Sequence, residues 1–164
     1  MTKPQWWERV LAAVVDGLVL LIPIVIVWVI FGLMMSASLA LNLLVMLFAS
    51  VIITAGVVAY KVVLESGPRQ ATLGKIVFGL QVVDATSGQR VPLQQALIRT
   101  WPWWLGLVNF LSPVPVLGVL ISLAILGLWI ALIVVFAMDP NGQSLHDKMA
   151  RCMVAKTGKG MVGQ

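Results

Sequence analysis

Long apolar stretches alternate with short polar ones along this chain. Apolar residues dominate at 10–33, 39–63, 93–111 and 116–138. The first two stretches exceed the ~20 residues with which a helix crosses ~30 Å of hydrocarbon. We therefore predict membrane-spanning helices. The link MMSAS joins the first two as an antiparallel hairpin, and the two prolines of SPVP predict a turn between the last two.

The segment between the second and third apolar stretches has a different character. Gly, Pro, Thr, Gln and charged residues are frequent at 64–92, and KIVFGLQVVDATSGQRVPL alternates around a TSG turn. This pattern predicts two short strands or an interfacial hairpin outside the hydrocarbon. We expect an all-α integral membrane protein, one domain over 1–164. It has about four transmembrane helices in two antiparallel hairpins, a short cytoplasmic β-like or interfacial segment between them, and a tail at 139–164.

Composition agrees with a membrane protein and excludes several other classes. Hydrophobic residues make up 60% of the chain and charged residues 10%, which is more apolar surface than one soluble core buries. Eleven Lys and Arg outnumber six Asp and Glu, but they flank apolar stretches, so we expect no nucleic acid partner. The single Cys152 forms no intramolecular disulfide. We expect no metal, no cofactor and no enzyme activity, because no ligand or catalytic set is present in the sequence.

The distribution of Lys and Arg along the chain also predicts the number of membrane spans. With four spans, all eleven basic residues lie at or near the cytoplasmic side and both outer links are uncharged. With three, the basic tail would lie outside. We therefore expect both termini in the cytoplasm. The third span is the least regular, because Arg99 lies within it, and WPWW could instead hold it along the interface or in a re-entrant turn.

An aspartate, Asp16, lies inside the first apolar stretch and needs a partner there. Arg9, seven residues earlier, shares its helix face, about 10.5 Å away along the axis. Because helical side chains lean toward the N-terminus, a direct pair between the two is strained. Arg99 lies at a similar depth, so we predict an Asp16–Arg99 pair. The network is either a fixed one that sets helix register or one in which Asp16 exchanges a proton for a cation.

Two further polar motifs have alternative interpretations. His146 and Asp147 in SLHDKMAR could handle a proton or could simply cap and anchor a helix at the interface. Thr72, Gly74 and Lys75 in QATLGK lack the spacing of a phosphate loop. We predict a turn at the membrane surface, with Lys75 near anionic head groups.

Four segments, in this order and with these apolar stretches between them, resemble the RDD family of small bacterial membrane proteins. They are WWERVLAAVVDGLVL, GPRQATLGKIVFGLQVVD, ALIRTW and NGQSLHDKMARCMVAK. The resemblance implies that Arg9 and Asp16 are the arginine and first aspartate of the family name and that Asp147 is the second. It also matches Arg99, His146 and the turn residues Thr72, Gly74 and Lys75 to family motifs.

The resemblance implies little about activity, and it leaves two candidate functions. Some members look like monovalent cation/proton antiporters, so the first is a proton-coupled cation transporter that uses an intramembrane Asp–Arg network. The second is an accessory or assembly subunit bound to a larger membrane complex. The expected partners are the lipid bilayer, a second copy or a larger complex, and a monovalent cation and proton. The expected location is the bacterial inner membrane, with several spans.

Overall fold

The computed structural model describes residues 3–139 and 142–157 of the chain. Residues 158–164 of the predicted tail, with the basic Lys159, lie outside this part. The described elements, in chain order, are the helices α1 (Trp6–Gly32), α2 (Leu39–Glu65) and α3 (Leu73–Val77), the strand β1 (Leu80–Asp84), the helices α4 (Leu93–Arg99) and α5 (Trp101–Trp104), a 3-10 helix (Leu105–Leu111), the helices α6 (Pro115–Met138) and α7 (Leu145–Met149), and the strand β2 (Cys152–Lys156).

Within the described residues, three helices are long and apolar enough to cross a membrane: α1 and α2, with 27 residues each, and α6, with 24. They confirm three of the four apolar stretches as helices. Each begins where local chemistry favours a helix start. In α1 the Gln5 backbone N–H donates to Glu8, in α2 the Ser38 hydroxyl accepts from Leu41, and Pro115 occupies the first turn of α6.

The predicted third span, 93–111, is not one continuous helix. It is divided into α4, α5 and the 3-10 helix. Pro102 in the first turn of α5 has no backbone N–H to continue the α4 ladder, so a new helix starts there. The regular four-helix count expected from hydropathy is therefore not reproduced in the described residues, although this segment still follows α2 closely.

The divided segment runs antiparallel to α2 along one buried stripe. Every fourth residue of α2 from Met46 to Val62 is buried, as expected for one face of a helix. Along this stripe Arg99 pairs with Glu65, and the Trp103 ring lies against Lys61. Next, a Cβ added to Gly106 would lie 2.7 Å from the Thr54 hydroxyl. Later residues of the segment therefore meet earlier residues of α2.

One end of each of the three long helices lies at the same end of the bundle. Arg9, near the start of α1, lies over the Phe136 ring near the end of α6, with its guanidinium 4.6 Å from the ring centroid. Glu65, the last residue of α2, pairs with Arg99, and Arg9 and Arg99 share Asp147. We call this the charged end of the bundle. Both α2 and α6 finish there.

A two-stranded antiparallel sheet lies beyond the charged end. β1 pairs with β2, with Val82 opposite Val154 at the centre of the register. The expected hairpin around TSG is reduced to a single bridge between Val83 and Arg90. β2 was not predicted. A buried cluster joins the sheet to α2 and α4: Val58, Val62, Val82, Val91, Ala96, Ala150 and Cys152.

Candidate functional site

Three residues matched to the family name or its motifs meet at the charged end although they are far apart in sequence. Asp147, on α7, accepts from two arginines: Arg9 Nη2 lies 2.6 Å from Oδ2, and Arg99 Nε lies 2.7 Å from Oδ1. The Asp147 side chain is fully buried. Each carboxylate oxygen has its own cationic donor, the arrangement that stabilises a buried carboxylate. This salt bridge ties α1 and α4 to α7.

Arg99 has a second carboxylate partner, which the sequence did not predict. Its Nη1 pairs with Glu65 Oε2, and Lys75 Nζ lies 2.5 Å from Glu65 Oε1. The side chain of Glu65 is 1% exposed. Lys75 was predicted to lie near lipid head groups; in the structure its ammonium pairs with Glu65, and its proximity to head groups stays a prediction. The five residues Arg9, Asp147, Arg99, Glu65 and Lys75 form an alternating sequence of charges that we call the charge chain.

Mutual attraction within the charge chain offsets the burial of its members. Burial raises the pKa of Asp147, but Arg99 and Arg9 hold that pKa well below its usual range. Burial and repulsion by Arg99 lower the pKa of Lys75 to about 8, with Glu65 opposing the shift. At neutral pH Asp147 is therefore ionised and Lys75 is mostly protonated. At this pH each contact of the charge chain therefore joins groups of opposite charge.

Asp16 belongs to a separate cluster. Its Oδ1 accepts from the Tyr60 hydroxyl at 2.7 Å and from the Gly74 backbone N–H at 2.8 Å. Its Oδ2 accepts from the Thr72 hydroxyl at 2.6 Å. Among the described residues no arginine pairs with Asp16, so the predicted Asp16–Arg99 pair is wrong. The expectation that Asp16 would not pair directly with Arg9 is confirmed for the same part of the chain.

Gly74 allows α3 to approach α1 closely enough for this cluster. A Cβ on Gly74 would lie 2.0 Å from the Ala12 carbonyl oxygen and 3.0 Å from Asp16 Cγ. No side chain fits in that space. The QATLGK motif therefore forms a docking turn, in which Thr72 and Gly74 present two donors to one carboxylate.

Asp147 caps α7 together with Ser144, which agrees with the capping interpretation for Asp147, and His146 contacts the same Ser144. The Ser144 backbone N–H donates to Asp147 Oδ2 at 3.2 Å, and the Ser144 hydroxyl lies 3.0 Å from His146 Nε2. Burial lowers the pKa of His146 to about 3, with Asp147 opposing and Arg99 adding to the shift. The imidazole is therefore neutral at pH 7. It stands edge-on to the Trp103 ring, with centroids 5.5 Å apart.

A cavity of about 230 Å³ lies between α1 and α6 next to both clusters. Asp16, Lys61, Glu65 and both arginines line its polar side. The α6 side is apolar and is formed by Trp129, Leu132, Ile133 and Phe136. Lys61 Nζ lies 4.3 Å from the centroid of the Trp103 ring, and no carboxylate of the described residues is within ion-pairing distance of it. Lys61 is therefore the lysine of this wall that lacks a carboxylate partner there.

Three residues of these clusters were not predicted as site residues from the sequence: Tyr60, Lys61 and Glu65. All three lie within the last six residues of α2. A signal was available, since polar residues here interrupt an otherwise apolar helix just before it ends. Throughout 3–139 and 142–157 no group of three His, Cys, Asp or Glu side chains could hold a metal ion.

These features define a small helical membrane protein whose polar residues gather at one end of its apolar helices. The chain belongs to the RDD family: the family model matches residues 3–151, nearly the whole chain. Comparisons with curated proteins and with solved structures gave no match.

Proposed function

We propose that the chain crosses the bilayer four times, with the charged end in the cytoplasm. Because α2 and α6 both finish at this end, the chain between them has to return to the opposite end before Pro115. A helix of the length of α6 spans about 36 Å, and the antiparallel course of 93–111 along α2 supports this return. The excess of Lys and Arg near the charged end supports the cytoplasmic orientation, with the inner membrane as the location.

Cysteine labelling of intact cells tests this topology. In a Cys152→Ser background, Ser112→Cys and Ser36→Cys should both react with a membrane-impermeant maleimide from outside. Ser87→Cys, in the polar turn after β1, should react only after permeabilisation. If Ser112→Cys also needed permeabilisation while Ser36→Cys did not, the segment 93–111 would not cross.

The function that this geometry supports best is transport of a small ion, with the cavity between α1 and α6 as its binding site. The observation that carries this proposal is the composition of the cavity wall. Charged side chains on one side face apolar side chains on the other, and Lys61 has no carboxylate partner there. Buried charges without a partner in a membrane protein mark ion or substrate pathways.

A cation exchanged for a proton, as the resemblance implied, is less well supported as the substrate. A bound cation needs free oxygen ligands, and Asp16, Glu65 and Asp147 already accept from two or three donors each. We therefore propose that Asp16 anchors α3 to α1. If Asp16→Asn folds but loses ion exchange, this result would instead favour an Asp16 carboxylate that exchanges a proton for a cation.

Reconstitution into vesicles tests transport through this cavity. Ala13 lines the α1 side of the cavity, so Ala13→Phe should fill it without changing a charge. Ala131→Phe, on an exposed face of α6, is the matched control. Ion flux should persist in wild type and in Ala131→Phe and should be lost in Ala13→Phe. Equal flux in all three would contradict this site.

The second candidate is an accessory or assembly subunit bound to a larger membrane complex. Within their most apolar windows α1 is only 11% buried and α6 only 6%, so both helices offer long faces to lipid or to another protein. Purification in mild detergent separates the two functions. Stoichiometric recovery within a larger complex favours the accessory role, whereas a self-contained oligomer with ion flux after reconstitution favours transport.

A further inference from the structure

The charges around the cavity do not balance. Arg9, Lys61, Lys75 and Arg99 contribute four positive charges. Asp16 and Glu65 line the same wall, and Asp147 lies directly behind the two arginines. His146 is neutral at pH 7. Counted in their ionised forms, the charged residues of the cavity wall together with Asp147 therefore include one more basic than acidic group.

This excess is located at Lys61. Glu65 lies one helical turn further along α2, but its two oxygens are already occupied by Arg99 and Lys75. Asp16 is held by Tyr60, Thr72 and Gly74. The remaining neighbour is the Trp103 ring, whose face attracts a cation only weakly compared with a carboxylate.

The apolar α6 side of the cavity indicates the chemistry of the rest of the ligand. Four apolar side chains of α6 face the charged wall: Trp129, Leu132, Ile133 and Phe136. An apolar wall opposite a charged one fits a molecule with both characters better than a fully hydrated inorganic ion. The volume of about 230 Å³ equals that of about eight water molecules in the liquid, enough for a short carbon chain with its head group.

We propose that this cavity binds an organic anion, with a carboxylate or phosphate group at Lys61 and an apolar part against α6. The inference rests on the cavity being the substrate site of the proposed transporter, and it names the substrate class. The same chemistry is offered by a soluble short-chain carboxylate and by the head group of an anionic lipid.

Thermal unfolding of the purified full chain tests this inference without measuring transport. The soluble probes are butyrate and butylammonium, which have the same carbon chain and opposite charge, at equal ionic strength. The lipid probes are vesicles of phosphatidylglycerol and of phosphatidylcholine. A ligand that binds only the folded state, at about ten times its Kd, should raise the melting temperature by about 3 °C or more.

Two variants show whether the effect arises at Lys61. Lys61→Gln should abolish the shift and should still fold, because no described carboxylate loses a salt bridge. Arg69→Gln, which removes one positive charge from an exposed position, should respond like wild type. Ala13→Phe should also lose the shift, because it fills the cavity while all charges remain.

Each outcome has a definite meaning. A shift with butyrate identifies a soluble anion, and a shift with phosphatidylglycerol alone identifies a lipid. In the latter case the anion site stands and the proposed transport of a soluble ion falls. The inference is overturned if neither anion produces a shift, if butylammonium matches butyrate, or if Lys61→Gln responds like wild type.

Discussion

The backbone N–H of Gly74 donates to the carboxylate of Asp16 at 2.8 Å. This bond joins α3 to α1 at the point where a Cβ on Gly74 would overlap the Ala12 carbonyl oxygen. The aspartate that seemed out of place in an apolar helix is therefore the acceptor for a docked turn. Its partners come from the end of α2 and the start of α3, 44 to 58 residues away along the chain.

Gly74→Ala should destabilise the fold, because its Cβ would lie 2.0 Å from the Ala12 oxygen and α3 would have to move away. We expect a loss of about 1–3 kcal/mol in the free energy of unfolding, as for other overpacked sites. Gly56→Ala is the control, since nothing lies within 4 Å of its Cβ position. Unfolding in mixed detergent should separate the two variants. Equal stability of Gly74→Ala and wild type would contradict the close approach.

The loss of stability caused by a substitution of Asp16 should depend on how many of its hydrogen bonds the new side chain retains. Asn keeps one oxygen for Tyr60 and Gly74 and turns an amide toward the Thr72 hydroxyl, which can accept from it. We expect Asp16→Asn to cost about 1 kcal/mol and Asp16→Leu about 3 kcal/mol, because Leu leaves buried donors unsatisfied. The same unfolding assay measures both. A Leu variant as stable as the Asn variant would argue against this cluster.

Arg99→Gln should be the most damaging charge removal, because it leaves both Glu65 and Asp147 without their shared cation. Breaking a buried salt bridge from one side costs about 3–5 kcal/mol. Arg99→Lys should lie between Gln and wild type, since an ammonium cannot bond to two carboxylates in the planar geometry of guanidinium. Arg69→Gln, at an exposed position, should stay within about 0.5 kcal/mol of wild type. An Arg99→Gln variant of equally small effect would remove Arg99 from the charge chain.

His146 should make stability depend on pH. The pKa is about 3 in the folded state and 6.5 as its ordinary value, so between these values the unfolded chain binds more protons. Stability due to the neutral imidazole is complete above pH 6.5 and should fall below it, by at most about 1.4 kcal/mol per pH unit. Melting curves from pH 7 to 4.5 should show this slope in wild type and a smaller one in His146→Gln. Parallel slopes would mean that His146 titrates normally in the folded protein.

Hydropathy predicted the three long helices because bilayer thickness sets the length of an apolar helix. It failed at 93–111, where Pro102 starts a new short helix and interrupts the regular one that was expected. β2 was missed because its partner β1 lies about 70 residues earlier. Pairing over such a distance leaves no local signal, and a five-residue strand in a polar tail is too short for periodicity to identify.

The motif residues were found from the sequence, but their partners were not. Axial spacing showed that Arg9 and Asp16 were badly placed for a direct pair, and this result is confirmed. Depth alone then suggested Arg99 as the partner of Asp16. Depth does not specify rotation about the helix axis, and it gave no weight to backbone donors such as the Gly74 N–H. Glu65 was overlooked because it was assigned to the polar segment 64–92 that follows the second span.

Two separate clusters, rather than one Asp16–Arg99 network, organise the polar residues. Double-mutant cycles distinguish these two arrangements, with Arg99→Gln combined in turn with Glu65→Gln and with Asp16→Asn. For Arg99 and Glu65 we predict a coupling energy of about 1–3 kcal/mol, and for Arg99 and Asp16 about 0.5 kcal/mol or less. A coupling between Arg99 and Asp16 as large as that between Arg99 and Glu65 would contradict the separation into two clusters.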